Sequence, residues 1–158
     1  MLRLAGGPVL HAGRMFSAWD LLARRSRNSV IRLITEGVAA GNHEAIDEYI
    51  AADAVDHHAL LPEWRDMRAY MHGLVAMLHG ALPDLRVEIN DLVVEGNRVA
   101  ARVTVAGTHT RAPLFGVPAN GRAVYSEDWH YLRCDLQGRI VEHRAMRHDV
   151  SLREQAVA

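Results

Sequence analysis

The sequence predicts a single α+β domain in which three helices precede an antiparallel sheet. Two observations support this prediction. Apolar residues recur at helical spacing as far as residue 81, whereas after residue 84 they recur at every second position, which is the period of a β-strand. Segments rich in glycine, asparagine and proline then divide the second half into strand-length runs. The length of 158 residues is typical of one domain.

The first helix is predicted over residues 28–40. Apolar residues at helical spacing form one face, Asn28 or Ser29 supplies an N-cap, and Gly41 ends the helix. The apolar pattern also extends toward the N-terminus, so a start near Ser17 is the alternative. In either case the helix faces the core.

Two further helices follow. A short helix is predicted from Asn42 to about residue 51, and residues 54–58 are predicted to form a brief extended segment. The third helix is predicted over residues 64–81 and ends before Pro83. Its buried stripe consists of Met67, Tyr70, Met71, Leu74, Val75 and Leu78.

The second half is predicted to form a meander of strands. The turn at 95–97 is typical of a tight hairpin, and 116–121 and 136–138 are the other connections. The strands are expected at residues 85–94, 98–110, 122–133 and 139–147. Helices on one face of a strongly curved, mainly antiparallel sheet of four to six strands form a cone with an apolar pocket, and such pockets bind small organic molecules.

Composition and charge exclude several classes of partner. Eighteen basic and nineteen acidic residues give a net charge of −1, and no basic patch follows residue 30, so neither nucleic acid nor a membrane is an expected partner. No stretch approaches the roughly 20 apolar residues that a membrane span requires. Cys134 is the single cysteine, which excludes an internal disulfide and is typical of a reducing compartment. The expected location is therefore cytoplasmic.

Residues 1–16 are expected to form a poorly ordered N-terminal extension, and residues 17–158 the folded domain. The first 28 residues contain five arginines and one acidic residue, which is similar to the composition of a targeting peptide, but they lack an apolar core of secretory length. Met15 is a candidate for the true start of the protein.

Polar residues on the predicted strands are the candidate catalytic groups. In the string YSEDWHYLR, the period of two places Asp128 and His130 on the same face. On the last strand, His143, Arg147 and Asp149 share one phase. A carboxylate beside an imidazole orients the ring and raises its basicity, so His130 is the candidate acid/base, with Asp128, His143 or Arg147 as its partner. The alternative for Asp128 is a rim carboxylate paired with an arginine.

Four further residues are candidates for contact with a bound molecule. His109 ends a row of apolar residues, so it is expected either at the mouth of the pocket or in a hydrogen bond to the next loop. Tyr70 can donate its hydroxyl to a substrate carbonyl. Trp64, at the start of the third helix, and Arg147 complete this set.

The string Asp56-His57-His58 offers one more contact with the pocket. Alternate residues of an extended segment face opposite sides, so either Asp56 together with His58, or His57 alone, enters the pocket. The sequence leaves both possibilities open.

Ten histidines raise the question of a metal site. The helical pattern His-Glu-x-x-His is absent, and His72 and His79 lie seven residues apart, about 10.5 Å along a helix, which is too far for one ion. A site assembled from His109, His130, His143 and an acidic residue is conceivable, but no metal ligand set is predicted.

Several strings occur in an informative order: EAIDEYIAADAVDHH, GTHTRAPLFGVPANGR, YLRCDLQGRIVEHR and the terminal SLREQ. Together they span about residues 29–155, and they resemble the SnoaL-like polyketide cyclase family of the NTF2-like superfamily. The resemblance implies a cone-shaped α+β barrel with a deep hydrophobic cavity, assembled as a homodimer or a larger homo-oligomer. It also implies an intramolecular aldol ring closure that needs no metal or cofactor, in which an aspartate is the general base and a histidine assists.

The resemblance can be followed to individual residues. The family's cavity histidine falls on His130, whereas the position of its general-base aspartate falls on Ala145. Because alanine cannot accept a proton, Asp149 or Asp56 is expected to substitute for that base.

The sequence thus predicts a protein that binds a small, largely apolar, carbonyl-bearing molecule. Its expected chemistry is cofactor-free cyclisation, isomerisation or hydrolysis, with His130 as the acid/base. The alternative is a non-catalytic ligand-binding module in which Ala145 marks lost chemistry. A third possibility is a dimerisation domain whose interior is filled.

Overall fold

The computed structural model describes residues 17–57, 65–147 and 152–157. The first helix, α1 (Ala18–Arg32), continues as a π-helical segment (Leu33–Ala39). The remaining elements are α2 (His43–Tyr49), β1 (Ile50–Asp56), α3 (Met67–Ala81), β2 (Arg86–Glu95), β3 (Arg98–His109), β4 (Arg122–Cys134), β5 (Ile140–Arg147) and α4 (Leu152–Val157). The expected extension at residues 1–16 lies outside the described residues.

Helix α1 begins at the earlier of the two expected positions. Ser17 and Asp20 form a capping box: the Ser17 hydroxyl accepts from the backbone N–H of Asp20 at 3.1 Å, and the Asp20 carboxylate accepts from the backbone N–H of Ser17 at 2.9 Å. These two contacts satisfy backbone N–H groups that would have no hydrogen-bond acceptor at an uncapped helix N-terminus. The N-cap predicted at Asn28 or Ser29 is therefore wrong.

The π-helical segment packs closely against α2. Gly37 permits this approach, since a Cβ at that position would lie 3.2 Å from Leu33 Cδ1 and 3.4 Å from Ile46 Cγ1. Asn42 then caps α2 by accepting from the backbone N–H of Glu44 at 3.0 Å. The chain changes directly from helix to strand at Ile50, one residue before the predicted end of the helix.

The third helix starts slightly later than predicted. Asp66 is its N-cap and accepts from the backbone N–H of Ala69 at 3.0 Å. The expected stripe is only partly buried: Met67, Val75 and Leu78 are in the core, while Tyr70 and Met71 remain half-buried.

The five strands form one sheet in the order β1-β5-β4-β3-β2. Strands β2 to β5 are antiparallel neighbours, as predicted, whereas β1 pairs with β5 in parallel. The predicted α+β architecture, with helices packed on a mainly antiparallel sheet, is confirmed. Helix α4 is an addition, and its Gln155 side chain accepts from the backbone N–H of Tyr125 at 2.8 Å.

The core lies between the helices and the concave face of the sheet. Val99, Ala101 and Val103 of β3 are buried there beside Val75 and Leu78 of α3. On the same face, other side chains keep partial access to solvent: Val87, Ile89, Val105, Asp128 and His130. The helices therefore leave part of the concave face uncovered. None of the described helices is long and apolar enough to cross a membrane.

Candidate active site

Strand register brings acidic and basic side chains together on the concave face. Across the β4–β5 ladder, Leu132 lies opposite His143 and His130 lies opposite Ala145. Across the parallel β1–β5 pair, Asp56 lies opposite His143. Since side chains on one face of a sheet alternate with period two, Asp56, His143 and His130 share that face on three adjacent strands.

These three residues form a continuous chain, here called the Asp–His–His chain. His143 Nδ1 lies 3.1 Å from Asp56 Oδ1, and His143 Nε2 lies 2.9 Å from His130 Nδ1. The second contact is a hydrogen bond, whereas in the first contact Nδ1 of His143 lies close to the carboxylate oxygen without the alignment of a hydrogen bond. A buried carboxylate is thus linked through one imidazole to a second imidazole.

The two imidazoles meet edge to edge. Their ring centroids are 5.2 Å apart and their planes differ by 22°. The 2.9 Å nitrogen–nitrogen distance together with the two ring radii accounts for the whole centroid separation, so the rings lie side by side rather than face to face. The lone pair of one ring nitrogen is therefore directed at the N–H of the other, as proton transfer requires.

Burial decreases along the Asp–His–His chain from Asp56 to His130. Asp56 is 2% exposed and His143 is 8% exposed, while His130 keeps partial access to solvent. A buried carboxylate is costly without a partner, so the adjacent imidazole stabilises it. The accessible end of the chain, His130, is the group that can meet a bound molecule.

Asp128 lies on the same face but outside this chain. Its Oδ2 accepts from the Ser126 hydroxyl at 2.9 Å, and its Oδ1 is buried with no hydrogen-bond partner among the described residues. The opposing residue on β5 is Arg147, whose side chain lies outside the described part of the structure. The direct Asp128–His130 bond considered from the sequence is not among the contacts of the described residues, and His143 is the imidazole's partner.

The other predicted contact residues are dispersed. His109 is fully buried and its Nε2 donates to the Ala112 carbonyl at 3.0 Å, so it bonds to the following loop rather than lining an open mouth. Tyr70 is half-buried on α3.

Of the Asp56-His57-His58 string, Asp56 faces inward and His57 is exposed beside Glu142 at 4.0 Å. His58, Trp64 and Asp149 lie outside the described residues.

The structure also contains a second cluster that the sequence did not suggest. His72 Nε2 lies 3.0 Å from Asp47 Oδ1, and His72 Nδ1 lies 2.7 Å from His43 Nδ1, which forms an Asp–His–His arrangement between α2 and α3. The hydrogen bond from His72 holds the pKa of the Asp47 carboxyl below its usual value. Helical spacing carried no signal for this cluster, because its members come from two different helices.

Within the described ranges, no group of three or more histidine, cysteine, aspartate or glutamate side chains is arranged to hold a metal ion. A surface recess of about 360 Å³ lies elsewhere, and Trp19, Leu22, Arg25 and Leu136 are among the residues that line it. None of these residues belongs to the Asp–His–His chain.

The chain matches solved structures of the same architecture. IdmH from Streptomyces antibioticus is 29% identical, with a TM-score of 0.68 over 84% of this chain and 99% of that one. TsrD from Streptomyces laurentii is 24% identical, with a TM-score of 0.67 over 82% of this chain and 96% of that one. A SnoaL-like polyketide cyclase from Agrobacterium tumefaciens is 17% identical, with a TM-score of 0.63 over 82% of this chain and 96% of that one. No curated protein matches the sequence.

The helices on a curved five-stranded sheet, with polar groups on the concave face, define an NTF2-like α+β protein. The model of the SnoaL-like polyketide cyclases matches residues 28–156. The chain belongs to the SnoaL-like polyketide cyclase family.

Proposed function

We propose that this protein binds a small, largely apolar, carbonyl-bearing molecule on its concave face and catalyses a cofactor-free acid/base reaction on it. His130 is the acid/base, and cyclisation, isomerisation and hydrolysis are the reaction types that one such group serves. The observation that carries the proposal is the Asp–His–His chain, which ends on a partly exposed imidazole.

The surroundings of His130 support a ligand of this chemistry. Apolar side chains on the same face retain access to solvent, so an apolar molecule would cover surface that is otherwise in water. An imidazole titrates near neutral pH, so it can both remove and return a proton without a metal or a cofactor. A carbonyl group acidifies an adjacent C–H bond, because the electron pair that remains is delocalised onto the carbonyl oxygen as an enolate.

A second candidate function is binding without catalysis. Ala145 favours it, because the residue directly across the ladder from His130 has no group that accepts a proton. In this case the Asp–His–His chain would orient a ligand carbonyl through a hydrogen bond and would not transfer protons.

Proton exchange distinguishes the two functions. Ethyl benzoylacetate, an aryl β-ketoester, is incubated with the protein in D₂O, and loss of the C–H signal between its two carbonyls is followed by NMR. We expect the protein to accelerate this exchange, and His130→Ala to remove roughly 10²- to 10⁴-fold of the acceleration. Equal acceleration by the parent and by His130→Ala would refute the catalytic role of His130.

A matched control keeps the test specific. His57→Ala removes an exposed imidazole directly after β1 that does not belong to the Asp–His–His chain. It should leave the exchange rate unchanged. If titration calorimetry detects binding of the β-ketoester while no variant alters its exchange, binding without catalysis becomes the better account.

We further propose that the protein forms a homodimer or a larger homo-oligomer in the cytoplasm. The family resemblance supports the assembly. The buried, unpaired Cys134 supports the location, because free thiols are typical of a reducing compartment. Light scattering during size-exclusion chromatography measures the assembly directly, and a monomeric mass at all concentrations tested would contradict it.

A further inference from the structure

We infer that Asp56 and His143 are positioning residues that hold His130 in the tautomer whose lone pair is on Nε2. The inference deepens the proposed function and rests on it for its catalytic consequence, but the tautomer itself can be tested without any substrate.

The first step concerns His143. Its Nδ1 lies 3.1 Å from a carboxylate oxygen of Asp56, and both groups are nearly excluded from water. A lone pair on Nδ1 would lie about 3 Å from the negative charge of Asp56 in a region of low dielectric, which is unfavourable. His143 Nδ1 therefore carries a proton, and the lone pair of the neutral ring is on Nε2.

The second step concerns the bond between the two rings. Since Nε2 of neutral His143 has a lone pair, it accepts the hydrogen bond at 2.9 Å, and Nδ1 of His130 must donate. The lone pair of neutral His130 is then on Nε2. The direction of every proton in the chain thus follows from the position of one buried carboxylate.

The third step is the chemical consequence. When His130 Nε2 takes a proton from a substrate C–H or O–H, the electron pair of that bond remains on the substrate as an enolate or alkoxide. The new positive charge on His130 lies beside the lone pair of His143 and within the field of Asp56. The chain therefore favours the protonated form that appears during the reaction, as the orienting aspartate of a catalytic triad does.

The cluster on the helices provides an internal reference. There, Nε2 rather than Nδ1 of His72 faces the carboxylate of Asp47. The same reasoning predicts the opposite tautomer for His72, with the proton on Nε2 and the lone pair on Nδ1, which accepts from Nδ1 of His43 at 2.7 Å. One sample therefore contains both tautomers in defined places.

The test is long-range ¹H–¹⁵N correlation NMR on protein labelled with ¹⁵N-histidine, at about pH 8, above the ordinary histidine pKa of about 6.5. Signals are assigned with His130→Gln, His143→Gln and His72→Gln. We expect protonated Nδ1 and unprotonated Nε2 for His130 and His143, and the reverse for His72. A proton on Nε2 of either His130 or His143 would overturn the inference.

The variant Asp56→Asn tests whether Asp56 sets the tautomers of His143 and His130. An asparagine amide that donates to His143 Nδ1 reverses both rings, and the analogous change in a serine protease triad lowers kcat about 10⁴-fold. We expect the His130 and His143 nitrogen shifts to change and the β-ketoester exchange to fall at least roughly tenfold. Asp47→Asn is the matched control: it should change the His72 and His43 signals and leave the exchange rate as in the parent.

The outcomes separate the two proposals. If the parent shows the expected tautomers but does not accelerate exchange, the inference stands and the catalytic function fails. If exchange depends on His130 while the tautomers are reversed, the proposed function stands and the positioning roles of Asp56 and His143 fail. Unchanged tautomers and exchange in a folded Asp56→Asn protein would also refute those roles.

Discussion

Ala145 lies directly opposite His130 on the β4–β5 ladder. From the family resemblance, an aspartate is expected at this position. Facing residues on one side of an antiparallel pair have Cβ atoms about 4.5–5.5 Å apart. A carboxylate at position 145 would therefore be an immediate neighbour of the imidazole. In this protein the residue opposite His130 carries only a methyl group. The buried carboxylate of Asp56 instead reaches the imidazole through His143, which lies on the same strand as Ala145.

The variant Ala145→Asp places a carboxylate beside His130. We expect the pKa of His130 to rise, because a neighbouring negative charge favours the protonated ring. We also expect β-ketoester exchange to increase by roughly tenfold, since a second base is then present. NMR titration and the exchange assay measure the two effects. The control is Met146→Asp, at the next position, which is 72% exposed. An equal effect of the two variants would contradict this expectation.

The variant Asp128→Asn should increase stability and decrease activity. The Oδ1 atom of Asp128 is buried without a partner among the described residues, and asparagine removes the charge from that atom while still accepting from Ser126. We expect the free energy of unfolding to rise by about 1 kcal/mol, while β-ketoester exchange falls because a carboxylate beside His130 is lost. Urea denaturation measures the first effect. A loss of stability would instead indicate that Asp128 is an ion-pair partner, the alternative considered from the sequence.

Asp84 should contribute to the loss of stability at acidic pH. Its carboxylate accepts from the backbone N–H of Thr108 at 2.6 Å and from the Thr108 hydroxyl at 2.8 Å, and these bonds hold the pKa of the carboxyl below its usual 3.8. A lowered pKa in the folded state adds stability above the unfolded pKa, and this contribution is lost as the pH falls through the folded pKa. We expect the loss of stability below about pH 4 to be smaller in Asp84→Asn than in the parent. Asp53→Asn, on the exposed side of β1, is the matched control, and an equal change in the two variants would contradict this expectation.

Cys134 should react slowly with thiol reagents in the folded protein. It is fully buried, and burial raises the pKa of its thiol from 9.0 to about 11. Because the folded pKa is raised, the stabilising contribution is complete below about pH 9 and is lost as the pH rises toward the folded value. We expect the free energy of unfolding to fall by roughly 2–3 kcal/mol over that interval, and less in Cys134→Ala. Rapid labelling of the native protein at pH 8 would contradict the expected burial.

Much of the fold could be predicted because its signals are local. The change of hydrophobic period after residue 84, the hairpin turn at 95–97 and the phase shared by Asp128 and His130 all depend on neighbouring residues. These signals located strands β2 to β5 to within one residue and identified the face that Asp128 and His130 share. The extended segment predicted at residues 54–58 begins four residues earlier, as β1. The start of α1 was less certain, because the sequence offers competing N-caps and only the hydrogen bonds of Ser17 and Asp20 distinguish them.

The contacts of the candidate site depend on strand order and register, which no local pattern specifies. The sequence by itself determined the α+β architecture, the family and the inward face of His130. The tertiary structure alone decided that Asp56 is the inward member of its string and that His143, rather than Asp128, bonds to His130. It did so through the parallel pairing of β1 with β5, which brings Asp56 beside His143 although 87 positions separate them in the chain. Hydrogen bonds between backbones and the burial of apolar side chains on the concave face fix that pairing, and both exist only in the folded chain.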